Sequence, residues 1–288
     1  MNRKISQKSI ETFVSCLVQE EKSSATIAKY TRDIEKLRKY AKNREITKAL
    51  MIEYKKYLYD TGKYKTTSIN SFIIAANRYL EYMNWQDAKV KTFCVQNDPF
   101  CTEDKLLSKQ EYKTLVTTAN QQGKFRLSMI LQTICMTGIR ISELSAITVS
   151  SVRQGHTEVT NKGKLRQIIL SPSLQKLLLL YIKNEGIESG IVFKTSHGTP
   201  LDRSNIWKEM KNLCIYANIN PEKVFPHNLR HLFALSFYQV GHDIAKLADV
   251  LGHSSIETTR LYIKTSSTEH CRQLEEMDLI CETTIPHN

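Results

Sequence analysis

No Cys-x-x-Cys pair occurs in the 288-residue sequence, and its seven cysteines, at positions 16, 94, 101, 135, 214, 271 and 281, are odd in number. That argues against a zinc ribbon and against a disulfide framework, and for a reducing cytosol in which most of these side chains act as small buried hydrophobes. No apolar run approaches the ~18 residues of a membrane span, and the opening MNRKISQKSIETF lacks an apolar core of signal-peptide length. A soluble, cytoplasmic protein with no membrane partner is expected. Internal repeats and low-complexity segments are also missing, so the chain does not read as a repeat array.

Acidic residues are the other shortage. Asp and Glu number 29 against 41 Lys and Arg, for a net charge of +12 and a pI near 9.3. Such an excess favours a polyanionic partner, nucleic acid before a membrane surface, because each cation that meets a phosphate releases condensed counterions. The imbalance is uneven: residues 1–100 carry 19 basic and 11 acidic residues, or +8, and the remainder 22 and 18, or +4. A hydrophobic content of 41% can bury one large or two modest cores.

What is present begins with helical periodicity. Ile10, Phe13, Val14, Leu17 and Val18 repeat at helical spacing over 7–19. A second stripe (Ile27, Tyr30, Ile34, Leu37, Tyr40) starts near Ser24, and a third helix runs from Thr47 to Gly62. A fourth starts near Thr66 with Ile69, Phe72, Ile73, Ala76, Tyr79, Leu80 and Met83. Lys29, Arg32, Lys36, Lys39, Lys63 and Lys65 fall on the polar faces, either a solvated surface or a grip on a polyanion backbone. Periodicity lapses around Pro99, which predicts a linker over 96–107 between a helical domain at 1–95 and a second domain at 108–288. Ser108 and Glu111 form a capping box that opens the second domain, and an apolar helix over about 125–136 stops at Thr137-Gly138. Thr157–Thr160 and Arg166–Leu170 alternate like strands on either side of Asn161-Lys162-Gly163-Lys164, which predicts a β-hairpin; Val192–Lys194 would add an edge strand. From 204 onward the chain reads as helical. The expected fold is mainly α with a small antiparallel sheet, of the α+β class.

Reactive groups concentrate in TGIRISEL (137–144), PHNLRH (226–231), LGHSS (251–255) and TTRLY (258–262). Taken singly, each has an ordinary structural explanation. Arg140 could complement a helix dipole. Gly252 could be a helix C-cap, with Ser254 and Glu257 boxing the next helix. A tyrosine within a helix is usually core. His227 and His231 have the spacing of a helical metal pair, but the residues between them are Asn, Leu and Arg, and an arginine beside a metal would repel it. Neither a metal nor any other cofactor is expected.

In this order the stretches resemble the tyrosine recombinase, or phage-integrase-like, family and its Xer-type members in particular. The matching positions are Arg140, Lys162 on the hairpin, His227-Asn-Leu-Arg230, Leu251-Gly-His253 and Tyr262, over about residues 105–275. The N-terminal helices fit the family's DNA-clamping, SAM-like domain by pattern alone. The resemblance implies a site-specific recombinase that breaks and rejoins DNA through a 3′-phosphotyrosyl intermediate and a Holliday junction. It further implies a homotetramer on double-stranded DNA with an inverted-repeat core site, or an assembly there with a related recombinase. The segment after Tyr262 would pack into a neighbouring protomer, or else cap its own domain. A nucleoid-associated enzyme of a bacterium or mobile element is expected.

The chemistry asks for such groups. Phosphodiester exchange builds negative charge on phosphoryl oxygens, and two guanidiniums offer permanent, bidentate donors for it. Arg140 and Arg230 are the expected phosphate clamp, joined by His253. A phenol titrates near 10, so Tyr262 needs a base, His227, and the departing 5′ oxygen needs an acid, Lys162. The hairpin is one residue shorter than the usual Gly-Lys-Gly-x-Lys of Xer-type members, which leaves Lys164 as the alternative. Relaxation of DNA by a type IB topoisomerase-like enzyme, and a DNA-binding regulator without catalysis, are the rival functions.

Overall fold

The computed structural model describes residues 3–95, 105–161, 164–195, 197–253 and 255–263. The chain divides into two compact units, 1–97 and 98–288.

In the first unit, the expected helices are α1 (Gln7–Gln19), α2 (Ser24–Ala41), α3 (Lys48–Asp60) and α4 (Thr66–Tyr82). Ser6, Ser23 and Thr47 begin the first three with side-chain oxygens that accept from backbone N–H groups, which satisfies donors that have no partner within the helix. Phe13, Leu17, Ile34, Leu37, Met51, Leu58, Ile73 and Tyr79 close one core, with Phe13 edge-on to Tyr79 at 5.3 Å. Val18 departs from the expected stripe and is exposed, because the narrow buried face of α1 is filled by Ile10, Phe13 and Leu17. Two of the basic side chains assigned to the polar face are tied inward. Lys29 pairs with buried Asp33 at 2.6 Å, and Lys36 donates to the Tyr64 hydroxyl at 2.8 Å while lying over the Tyr64 and Phe72 rings. Arg32, Lys39, Lys63 and Lys65 remain exposed.

The second unit opens with α5 (Lys109–Gln121), whose Ser108–Glu111 capping box is present, and α6 (Phe125–Thr137). A 3₁₀ turn (Ile141–Ala146) and α7 (Val149–Gln154) lead into the hairpin of β1 (His156–Asn161) and β2 (Lys164–Ile169), paired antiparallel with Val159 opposite Arg166. Then come α8 (Pro172–Asn184), α9 (Arg203–Ala217), α10 (Pro226–Gly241), α11 (Ile244–Leu251) and α12 (Ile256–Arg260). Helix α10 packs on α6, and α11 touches α10, α12 and β2, which brings the ends of distant segments together. The edge strand expected at Val192–Lys194 does not form. Val192 and Phe193 are buried in the core, and the backbone there makes only isolated bridges, Thr148 to Ile191 and Lys194 to Pro200. Their apolar character serves packing rather than a ladder. Among the described residues no helix is long and apolar enough to cross a membrane.

Candidate active site

Two left-handed glycines set the geometry. Helix α6 ends at Gly138 with φ +62°, and a Cβ there would stand 2.5 Å from a ring carbon of Phe233. Helix α11 ends at Gly252 with φ +64°, where a Cβ would stand 2.4 Å from Cδ of Arg166. Only glycine meets both demands, conformational and steric. Each therefore turns the chain sharply, and Arg140 and His253 follow directly after those turns. The next helix is capped by Ser255, which accepts from the Glu257 N–H, so the cap falls one residue later than the Ser254 expected.

Arg230 and the histidines come from one helix. Pro226 occupies the first turn of α10, where its missing N–H costs nothing. His227 follows it, and Arg230 and His231 lie one turn on, on the same face. Arg230 is buried and donates to the Gly138 carbonyl, to the Leu251 carbonyl at 2.7 Å and to Nε2 of His253 at 3.1 Å. It thus ties together the ends of α6 and α11. Burial first, then the charge of Arg140, lowers its guanidinium to about 10, with the Tyr262 phenol acting in the opposite direction. It stays cationic at neutral pH.

Arg140 is partly exposed and held from behind. Its backbone N–H donates to Oε2 of Glu143 at 3.0 Å, and its Nη1 to Oε1 at 3.0 Å. Glu143 in turn accepts from Nη2 of buried Arg166 at 2.5 Å, while Nη1 of Arg166 donates to the Val250 carbonyl at 2.7 Å. Burial alone would raise the Glu143 carboxyl; the Arg140 N–H and the two guanidiniums outweigh it and hold it below the ordinary range. Arg166 thus links the hairpin, the turn bearing Arg140 and the end of α11.

Tyr262, just past α12, sits inside a cage of three imidazoles. The His227, His231 and His253 rings lie 5.5, 5.3 and 5.5 Å from its ring, with His253 stacked at 17°. Phe233, Leu247 and Leu251 pack behind it, and the residue is 6% exposed. His253 is anchored at its other nitrogen, Nδ1 lying 2.8 Å from Oγ1 of Thr259. All three imidazoles are pushed below their ordinary value. For His227, which keeps an exposed side, the causes are its packing and then Arg230 and Arg140. His231 falls to about 4 through burial and then His227, and His253 to about 4 through burial and then Arg230 and Arg140. All are neutral at pH 7, and a neutral imidazole beside a phenol can accept its proton.

Of the positions singled out in the sequence, Arg140, His227, Arg230, His253 and Tyr262 are thus brought together. Lys162 lies outside the described residues, between the paired positions Asn161 and Lys164. Sequence reasoning gave no role to Glu143, Arg166 or Thr259. Arg166 did carry a signal, since it shares the inward phase of β2 with Ile168 and Leu170, and a charged residue in a buried phase needs a partner.

Residues 105–269 match the model of the phage integrase family, and residues 3–87 that of the phage integrase N-terminal SAM-like domain. The chain belongs to the phage integrase family of tyrosine recombinases. Curated members similar to it include tyrosine recombinase XerD of Staphylococcus haemolyticus, 31% identical over 86% of this chain and 90% of that one. Tyrosine recombinase XerD of Vibrio cholerae serotype O1 is 28% identical over 86% and 88%. Among solved structures, the XerH site-specific recombinase bound to palindromic difH substrate superposes with a TM-score of 0.70 at 18% identity, covering 96% of this chain and 91% of that one. A lambda integrase dimer bound to a COC′ core site gives 0.72 at 14% identity, covering 99% and 81%. These two show a shared fold. Membership identifies this tyrosine recombinase as a site-specific DNA recombinase, and favours that activity over DNA relaxation or a non-catalytic regulatory role.

Proposed function

We propose that Arg140, Arg230 and His253 hold one scissile phosphate of double-stranded DNA and that Tyr262 attacks it. His227 takes the phenolic proton, and Lys162, or Lys164 if the hairpin closes in that register, returns one to the departing 5′ oxygen. The phosphorus–O5′ bond breaks as the phosphorus–phenolic oxygen bond forms, leaving a 3′-phosphotyrosyl enzyme and a free 5′ hydroxyl. A 5′ hydroxyl from a partner strand reverses the step, so ester replaces ester and no external energy source is consumed. The observation that carries this reading is the packing of His227 and His231 from α10 and of His253 from beyond α11 around Tyr262, with the guanidiniums of Arg230 and Arg140 alongside.

In this reading residues 1–95 are a core-DNA-binding domain, 96–107 the linker and 108–288 the catalytic domain. Arg32, Lys39, Lys63 and Lys65 supply backbone phosphate contacts, which position DNA rather than read its sequence. Four protomers assemble on two inverted-repeat core sites, alone or with a related recombinase, and exchange strands through a Holliday junction. Strand exchange between two sites serves integration, excision or resolution. The XerH structure holds a palindromic difH substrate and the lambda integrase structure a COC′ core site, which supports the same class of substrate here. The test is a nicked suicide duplex bearing any inverted half-sites found by sequencing the DNA that flanks the gene. A gel-stable covalent adduct that Tyr262→Phe abolishes is expected; an adduct that survives the substitution refutes the assignment.

A further inference from the structure

Thr259 is fully buried on α12, three residues before Tyr262, and it touches both partners of the site. Its carbonyl accepts from the Tyr262 N–H at 2.9 Å, and its hydroxyl lies 2.8 Å from Nδ1 of His253. On the far side of that imidazole, Nε2 is 3.1 Å from Nη2 of Arg230. A guanidinium donates hydrogen bonds and accepts none, so Nε2 must present its lone pair. A neutral imidazole carries one ring proton, which is then on Nδ1, where the threonine hydroxyl accepts it.

We infer that Thr259 is a positioning residue that fixes His253 as the Nδ1–H tautomer, its Nε2 lone pair turned to Arg230. The catalytic consequence rests on the reading of His253 as a phosphate ligand. In this tautomer Nε2 has no proton to give a phosphoryl oxygen, so His253 becomes a donor only by gaining one there. The proton comes from solvent as the phosphate engages Arg230 and releases Nε2; the Nδ1–H···Thr259 bond is kept, and no other bond changes. The charged and titratable groups facing the ring explain why this waits for DNA. Arg230 and His227 on α10, Arg140 at the 3₁₀ turn and Arg166 on β2 face it with three cations and a second imidazole, the Tyr262 ring stacks on it, and the Glu143 carboxylate is already bound to two of those cations. Negative charge must arrive with the phosphate.

The test uses the full-length protein labelled with ¹⁵N-histidine, with His253→Gln to assign the signals. Wild type and Thr259→Ser are expected to show a protonated Nδ1 and a lone-pair Nε2. Thr259→Val keeps the shape but removes the acceptor, and its two nitrogens are expected to average towards each other. On the suicide duplex, Thr259→Val should cleave about tenfold more slowly, the size of one lost hydrogen bond, with Thr259→Ser within about twofold of wild type. A protonated Nε2 in the free wild type overturns the inference, and this needs no variant to fold. So does a Thr259→Val spectrum like wild type, or a Thr259→Ser enzyme as slow as Thr259→Val. If instead the tautomer is as inferred but His253→Gln cleaves like wild type, the phosphate role of His253 is what fails.

Discussion

Replacing Glu143 with glutamine tests the scaffold behind Arg140 with almost no change of shape. The carboxylate accepts three N–H groups, two on Oε2 from the Arg140 backbone and Arg166, and one on Oε1 from the Arg140 guanidinium. An amide has one oxygen. Placed at Oε2 it keeps two of the bonds, and its NH₂ then faces the Arg140 guanidinium, donor against donor. Buried Arg166 also loses its counter-charge. Removing one partner of a buried pair outright costs about 3–5 kcal/mol. The surviving bonds, one of them to the Val250 carbonyl, reduce the expected loss to about 2–3 kcal/mol, the scale of charged hydrogen bonds. For a unit of this size that lowers the melting midpoint by roughly 4–12 °C. The pH dependence has a definite sign. Because the folded-state pKa of Glu143 is depressed, its stabilisation is fully present above the ordinary value of 4.5 and is lost as pH falls through the lower folded value. The wild-type advantage over Glu143→Gln should therefore be constant from pH 7 to about 5 and shrink below 4.5. Urea titrations at several pH values read this directly. Equal stability at pH 7, or a gap that widens on acidification, would refute the account of the Glu143–Arg166 tie.

Gly252→Ala forces a left-handed alanine, costing about 1–2 kcal/mol, and drives its Cβ into Arg166, so its denaturation midpoint should fall further than that of an alanine placed at Gly186, which has open space and a similar φ of +62°. Because His227 is depressed below its ordinary 6.5, cleavage by the free enzyme should hold its rate as pH falls to 6.5 and decline only below it, a limb that His227→Gln removes from the pH–rate profile. His231 is held neutral to about 4, so between pH 6.5 and 4 the unfolded chain binds a proton that the folded one does not. Stability should drop with acid over that window, and His231→Phe should flatten the slope in urea titrations. Arg140→Lys keeps the charge but gives up the planar fork, and is expected to cut cleavage by about 10²-fold with DNA affinity little altered, measured in single-turnover and binding assays.

How much of this was legible depended on whether a residue's partners are near in sequence. The helices of the first unit follow from apolar stripes such as Ile34 and Leu37, and Ser108–Glu111 announced a helix start that the structure contains. The hairpin followed from alternation around Gly163. Arg140, His227, Arg230, His253 and Tyr262 were legible because each stands in a short, characteristic segment. Glu143, Arg166 and Thr259 were not, since their meaning lies in contacts across 23 residues of chain or between a threonine and a ring, and single residues of these types are common. Val192–Lys194 failed because a short apolar run looks the same whether it pairs in a sheet or fills a core. Val18 failed because a helix buries only as wide a face as its neighbours cover.

The central claim is that the phenolic oxygen of Tyr262 becomes bonded to DNA phosphorus. Mass spectrometry of a protease digest made after reaction with the suicide duplex tests it most directly. The peptide containing Tyr262 should carry the mass of a 3′-phosphorylated nucleotide remnant on that tyrosine, with the opposite strand end released as a 5′ hydroxyl. A remnant on any other side chain, or a 5′-linked phosphate on Tyr262, would contradict the account.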